Sequence, residues 1–389
     1  MTQAMGVSGR LAYQVETTFK ITPATPALKL AYFLSESLGE KINLVTSQVI
    51  RSNRNPTKPV RGNRDASGAL KTELAPSLGT LLKAALGSNT TTGAGSPYTH
   101  TMKIGSLPSL TFEKGFTDLG QYLLFNGCKV NRMSLSVKPE GFQEIDLEFM
   151  GANEAQALPY DGQTGNFTVG QVVTGGTSTA TGTIIADSDA GTEGFLTLIN
   201  VSGTFQNNEA ITDPITGAAV VNGTLGATPL DSSVTDPGHS PWDGFAVSTL
   251  QEGGSDIAVV TAVDLSLEND LDGDSYVVGG GGVRQSLSDG KAKVSGTLTA
   301  LFDSMTLYNK AIKYTESSLK IVYKHGTGAG TAGNEYLEIL VPELYFSKET
   351  PAIEGPKGVL FKGPFEAFYD NGADASAMKI VLMNAEATI

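Results

Sequence analysis

Apolar and polar residues take turns along many short stretches of this chain, and that alternation sets the first expectations. In "VDLSLEND", Val263, Leu265 and Leu267 fall on one side, with Asp264, Ser266 and Glu268 on the other. A period of two marks a strand with one face buried. In "ALKTEL", Leu70, Thr72 and Leu74 oppose Lys71 and Glu73, and "LKIVY" and "LEIL" read the same way. Two stretches shift to helical spacing. "PSLGTLLKAAL" sets Leu78, Leu81, Leu82 and Leu86 on one stripe behind Pro76, a residue suited to a first helical turn. "LFDSMTLYNKAI" repeats the idea with Leu301, Phe302, Met305, Tyr308 and Ile312. The pattern predicts mostly antiparallel sheets whose apolar faces are covered by short helices and further strands.

The order of elements occurs twice. "INLVTSQVIRSN", a loop and "SGALKTELAPSLGTLLKAAL" match "AVDLSLENDLDG", a loop and "DGKAKVSGTLTALFDSMTLYNKAI". "SLTFEKGF", "KVNRMSLSVKP" and "QEIDLEFMGA" then match "SLKIVYKHG", "LEILVPELYFSKET" and "KGVLFKGPFEAFY". Each copy reads strand, long polar loop, strand, short helix, then three more strands, which points to a duplication.

Between the copies, from about Asn166 to Thr228, charge thins out and Gly and Thr dominate. Six or so short strands separated by Gly, Asn and Asp turns predict a small β domain. Its expected core is Phe167, Val169, Ile184, Ile185, Phe195, Leu196, Leu198, Val201, Phe205, Ile211, Val220 and Val221. The flanks "EAQALPYDGQTG" and "GATPLDSSVTDPGHSPWDG" read as linkers. The expected fold class is mainly β: two β-sandwich or barrel domains at 1–160 and 240–389, each with a short α-helix, and an inserted small all-β domain at 163–230.

Composition narrows the class. With 389 residues, 40% of them hydrophobic, the chain has material for two or three packed domains. Its one cysteine, Cys128, excludes an intramolecular disulfide framework, and the setting "LLFNGCKVNRM" reads as a small buried side chain. The opening residues lack a basic segment followed by an apolar core, and no apolar run approaches the roughly 18–20 residues that span a bilayer. The expectation is a soluble protein made in the cytoplasm with no membrane partner. A formal net charge of −13 speaks against wrapping nucleic acid.

No chemistry stands out. His100, His239 and His325 lie in Gly-, Ser- or Pro-rich contexts without metal spacing. "VVGGGGVRQ" lacks the spacing of a phosphate cradle and reads as a loop tip. "ENDLDGDS" fails the EF-hand template, since Gly273 is fourth from Asp270 and Gly281 is twelfth. Trp242 reads as an anchor for the linker that follows the insert. No catalytic residue, metal or cofactor is expected.

One basic run stands apart. Arg51, Arg54, Lys58, Arg61 and Arg64 have no acid among them. They also have no aromatic on which a base would stack, so a nucleic-acid site fits poorly. The counterpart loop in the second copy, Asp270 to Asp289, is acidic and Gly-rich with Arg284 as its one arginine. A basic and an acidic loop at equivalent positions suggest contacts between subunits.

Strand, long loop with "NRNPTKPVRGNRDASGALKTELAPS", helix and later strand set resemble the tail tube proteins of long-tailed bacteriophages, over about 1–160 and 240–389. The resemblance implies a structural virion protein without catalytic residues. It implies β-sandwich domains flanked by a helix, set side by side in a ring with quasi-six-fold symmetry. Inner strands would join into a barrel around a lumen that passes DNA without specific binding, and rings would stack into a tube. Two domains per chain imply a homotrimeric, pseudo-hexameric ring, with a homohexamer as the alternative. Other phage tail proteins would be partners, and assembly would take place in the host cytoplasm. Lys71, Glu73, Asp264, Ser266, Glu268, Lys293, Ser295 and Thr297 are then lumen-facing candidates, although ordinary solvent-facing sheet residues would look the same. Arg51, Arg54, Lys58, Arg61 and Arg64 are expected to form an inter-ring loop. The insert resembles small β modules displayed on phage particles, which leaves a carbohydrate-binding adhesin as the competing class.

Overall fold

The chain is described by a computed structural model covering residues 3–353 and 355–389. The first half contains β1 (Gly9–Val15), β2 (Lys29–Ala31), β3 (Ser35–Glu36), β4 (Gly39–Val45) and β5 (Val60–Glu73). A 3-10 turn at Pro76–Leu78 leads into α1 (Gly79–Leu86), followed by β6 (Gly87–Thr92), β7 (Tyr98–Ile104), β8 (Leu110–Phe116), β9 (Gln121–Val137), β10 (Glu144–Gly151) and β11 (Asn153–Gly165). The insert adds β12 (Val172–Gly175), β13 (Thr181–Asp189), β14 (Gly194–Ser202), β15 (Ala210–Thr212) and β16 (Ala218–Val221). The second half comprises β17 (Val247–Glu252), β18 (Ser255–Asp256), β19 (Val260–Glu268), β20 (Lys293–Leu301), α2 (Thr306–Lys313), β21 (Ser317–Lys324), β22 (Tyr336–Phe346), β23 (Leu360–Phe368) and β24 (Lys379–Asn384).

The two halves share one wiring. In the first, an inner sheet runs β4–β5–β10–β9, and in the second it runs β19–β20–β23–β22. Behind it an outer sheet runs β1–β8–β9–β11 in the first half and β17–β21–β22–β24 in the second. The long strands β9 and β22 belong to both sheets, pairing by one part with the outer strands and by the other with the inner ones. The duplication suggested by element order is thus a duplication of topology.

The halves are joined edge to edge. β19 pairs with the C-terminal part of β9, from Val263↔Val137 to Glu268↔Arg132. The result is one eight-strand antiparallel inner sheet, β4–β5–β10–β9–β19–β20–β23–β22. Its back carries Leu70, Leu147, Leu135, Leu265, Leu298 and Phe365, all at most 4% exposed. Burying each such side chain contributes about 1.5–3 kcal/mol. The outer strands supply Leu11, Tyr13, Phe112 and Phe125 to the same core.

α1 fits its sequence stripe: Leu78, Leu81, Leu82 and Leu86 are all buried. The second stripe is corrected. α2 begins at Thr306, so Leu301 ends a strand and Phe302 and Met305 precede the helix. Leu301, Phe302, Met305 and Ile312 are exposed, and within α2 only Ala311 is buried. The spacing is amphipathic, but among the described residues nothing covers that face.

The insert differs from its expected form in how it is attached. "EAQALPYDGQTG" is not a linker but part of β11, which pairs with β9 at one end and with β14 and β16 of the insert at the other. Most of the expected core is buried, yet Val169 is half exposed. Ile185 and Ile199 face the first half, packing with Ala12, Leu28 and Leu124. Arg64 also donates to Asn200 Oδ1. The insert is therefore docked through an apolar seam. Trp242 is fully buried and stacks on His325, 5.2 Å between ring centroids.

Candidate functional site

The front of the inner sheet is polar from β5 through β20, while β23 and β22 add Pro364, Phe368 and Tyr345 to it. Strand alternation fixes this: the residues between the buried leucines must point the other way. Register then aligns them into rows. One row reads Lys71, Asp146, Ser134, Ser266, Ser295, Glu366. The next reads Glu73, Glu144, Ser136, Asp264, Thr297, Pro364. A third sets Glu148 beside Arg132, Glu268 and Lys293.

All eight residues expected from sequence to share a polar surface lie on this face, and the β9–β19 junction brings the two sets together. Sequence reasoning missed the middle of the surface: Arg132, Ser134, Ser136, Glu144, Asp146 and Glu148. Their alternation in "KVNRMSLSVKP" and "QEIDLEFMGA" was visible, but only strand order puts these strands between the two hairpins.

The face is concave, enclosing a groove of about 430 Å³ lined by Arg132, Ser134, Asp146, Asp264, Ser266 and Ser295 among others. Carboxylates outnumber basic groups in the three rows. Lys71 Nζ lies 2.9 Å from Glu144 Oε2, and Lys293 Nζ lies 3.3 Å from Glu366 Oε1. Arg132 sits between Glu148 and Glu268, 3.8 Å from each. The bond to Lys71 holds the Glu144 carboxyl below the usual carboxylate range and raises the Lys71 ammonium. Ser136 Oγ donates to Asp264 Oδ1 at 2.7 Å. These exposed pairs add little stability. Their effect is to tie up the basic groups, leaving a surface of mixed to negative sign.

The basic run is divided by the structure. Arg51, Arg54 and Lys58 are exposed in the 46–59 connection. Arg61 and Arg64 are not in the loop but in β5. Arg64 is also buried: its guanidinium lies 2.9 Å from Glu40 Oε2 on the neighbouring strand, which corrects its assignment to an exposed loop. The acidic counterpart folds back on the first half. Asp289 Oδ1 lies 2.8 Å from Lys129 Nζ, Arg284 pairs with Asp65, and Tyr276 donates to the Arg64 carbonyl at 2.7 Å.

Cys128 is buried, and burial pushes its thiol well up. Among the described residues no group of three or more His, Cys, Asp or Glu could hold a metal ion. No described helix is long and apolar enough to cross a membrane.

Comparison with known proteins adds one finding. The family model described as phage tail tube protein matches residues 6–233 and again residues 189–368. No curated protein matches the chain. Two matches, one spanning β1 to β16 and the other containing β17 to β23, agree with the duplicated wiring.

Proposed function

Because the chain belongs to the phage tail tube protein family, we propose that it is the repeating subunit of a tube built from stacked rings and conducting DNA through a lumen. The observation that carries the reading is the continuous eight-strand sheet, concave and polar on its front from β5 through β20. A sheet ending in open edges invites further pairing, and closure into a barrel removes the edges. Each chain brings two units of one wiring, which supports a ring of three chains with six quasi-equivalent units. Head-to-tail contacts of this kind close a ring when the rotation allows.

The rows headed by Lys71 and Glu73 then line the lumen, with Asp264, Ser266, Glu268, Lys293, Ser295 and Thr297 in the second half. Binding to the DNA backbone is driven by releasing counterions onto cationic side chains. A wall whose few cations are already paired offers little of that gain, so DNA slides without being held. The insert grows from β11 of the outer sheet, which supports a position on the outside of the tube. The role is structural, in a tail assembled in the host cytoplasm with other tail proteins.

Purified protein imaged by negative stain over a concentration series tests this reading. Rings or tubes of uniform bore are expected. A protein that stays monomeric at high concentration contradicts it.

A further inference from the structure

We infer that the exposed side of α2 and the open end of β22 are the seat for strand β4 and the basic loop of a second copy of this chain. The inference rests on the ring reading and names its lateral junction.

Because its halves share one wiring, a single chain contains both a filled and an empty version of the same seat. In the first half the seat is filled. β19 lies along Arg132–Val137 of β9, on the side where β8 has ended. Asn269, at the end of β19, donates to the Ala85 carbonyl of α1 and to the Val130 carbonyl of β9. Ile389 and Leu382 press on α1 so closely that a Cβ on Gly79 would lie 2.7 and 3.0 Å from them. Every leucine of α1 is buried, under these contacts and under β6, β7 and β9 of its own half; among the described residues the second half has no hairpin like β6–β7 after its helix.

In the second half the corresponding seat is empty. β21 pairs with β22 only as far as Leu344, and among the described residues nothing pairs beyond it on that side. Met305 is 49% exposed and Ile312 43%, where α1 shows no exposed leucine. Beside them Tyr314, Tyr345, Phe346 and Phe368 line an open groove of about 500 Å³.

The matching piece is at the other end of the molecule. β4 takes in the first half the place that β19 takes in the second, and among the described residues it pairs only with β5. Ile42, Leu44 and Val45 are exposed on it. The two ends cannot meet within one chain, since seven strand spacings of about 4.8 Å put them roughly 34 Å apart across the sheet. The occupant is therefore a second copy.

Charge agrees with this assignment. Lys129 and Glu343 hold the same place, the last rung of the ladder between the third and fourth inner strands of each half, as Met150↔Lys129 and Phe368↔Glu343. Within one chain the acidic loop brings Asp289 to Lys129. At the empty seat the signs are exchanged: Glu343, its carboxyl raised by desolvation and then by neighbouring Glu316 and Asp370, awaits the loop bearing Arg51, Arg54 and Lys58. Exchanged signs let each half accept the other and disfavour pairing of like halves. The basic loop thus contacts a neighbour in its own ring, and contact with the next ring is the competing outcome.

Two variants and one cross-link test the junction. Met305→Asp with Ile312→Asp changes only exposed side chains, so the monomer should keep its circular dichroism and unfolding midpoint while ring formation is lost. Arg51→Glu, Arg54→Glu and Lys58→Glu together should also leave monomers. Single cysteines at positions 42–45 combined with single cysteines at 347–349 should give, for at least one pair, interchain disulfides ending in a closed covalent species. The buried Cys128 does not compete. Rings that form normally in both variants, with no pair cross-linking, overturn this inference alone. Intact rings that fail to stack in the charge-reversed variant overturn the lateral placement of the basic loop. Wild-type protein that makes no rings overturns both this inference and the function on which it rests.

Discussion

Asn269 pins the two halves together, and removing its side chain is the sharpest test of the packing described above. The residue is 4% exposed, and its amide donates at 3.0 Å to the Ala85 carbonyl and at 2.9 Å to the Val130 carbonyl. Ala85 is in the last turn of α1, where carbonyls have no partner within the helix. Asn269→Ala deletes both donors and leaves buried oxygens short of a hydrogen bond. A typical bond contributes about 1 kcal/mol, and a stranded buried group costs about 1–3 kcal/mol. Some relaxation is expected, so the loss should be about 2–4 kcal/mol. Asn269→Asp keeps the shape but points a carboxylate at two carbonyls, and should cost more at neutral pH. Denaturant unfolding followed by fluorescence provides the assay, because Trp242 is the sole tryptophan and is buried in the core that joins the halves. An Asn269→Ala change below about 0.5 kcal/mol, the level of an ordinary surface substitution, with Asn269→Asp no worse, would refute the reasoning.

Other consequences can be checked separately. Ile199→Ala opens the seam between insert and first half and should cost about 2–5 kcal/mol, with faster hydrogen exchange in β13 and β14; unchanged exchange would mean that the seam does not hold the insert. Glu16 is buried, and burial raises its carboxyl against the opposing bonds from Gly127, Ser109, Thr111 and Lys20. The folded chain therefore holds that proton more tightly than the unfolded one. Its contribution is fully present below the unfolded pKa and declines as pH rises through the folded pKa. Glu16→Gln should flatten that decline in a stability–pH series, and an unaltered slope would contradict it. Replacing Asp146, Glu148 and Glu268 with Lys should convert the polar face into a DNA-binding surface whose affinity falls steeply with salt; continued absence of binding would count against this face as the wall.

Much of the fold was legible because strand periodicity is a local property. Val263, Leu265 and Leu267 declare their buried face without help from the rest of the chain, and the repeat in element order gave the duplication. What was not legible depends on which edges meet. Nothing in "KVNRMSLSVKP" says that Arg132 will lie between Glu148 and Glu268, because that follows from β19 joining β9. Arg64 looked like a loop residue since a basic run reads as solvated, yet its partner Glu40 is across a hairpin. The α2 stripe differs for a related reason: spacing reports amphipathicity, and among the described residues the second half has no counterpart of the β6–β7 hairpin that packs on α1. The insert's flank failed as a linker because "EAQALPYDGQTG" contains turn formers, while pairing with β9, β14 and β16 keeps it extended.

The most direct test of the account is a three-dimensional reconstruction of the assembled tube. Rings of three chains are expected, with a lumen wall formed by the inner sheets, Asp146, Ser134 and Ser266 facing the bore, and β4 of each chain beside the end of β22 of the next. A tube whose bore is lined by the outer sheets or the insert, or whose rings contain six chains with one half of each outside the wall, would contradict it.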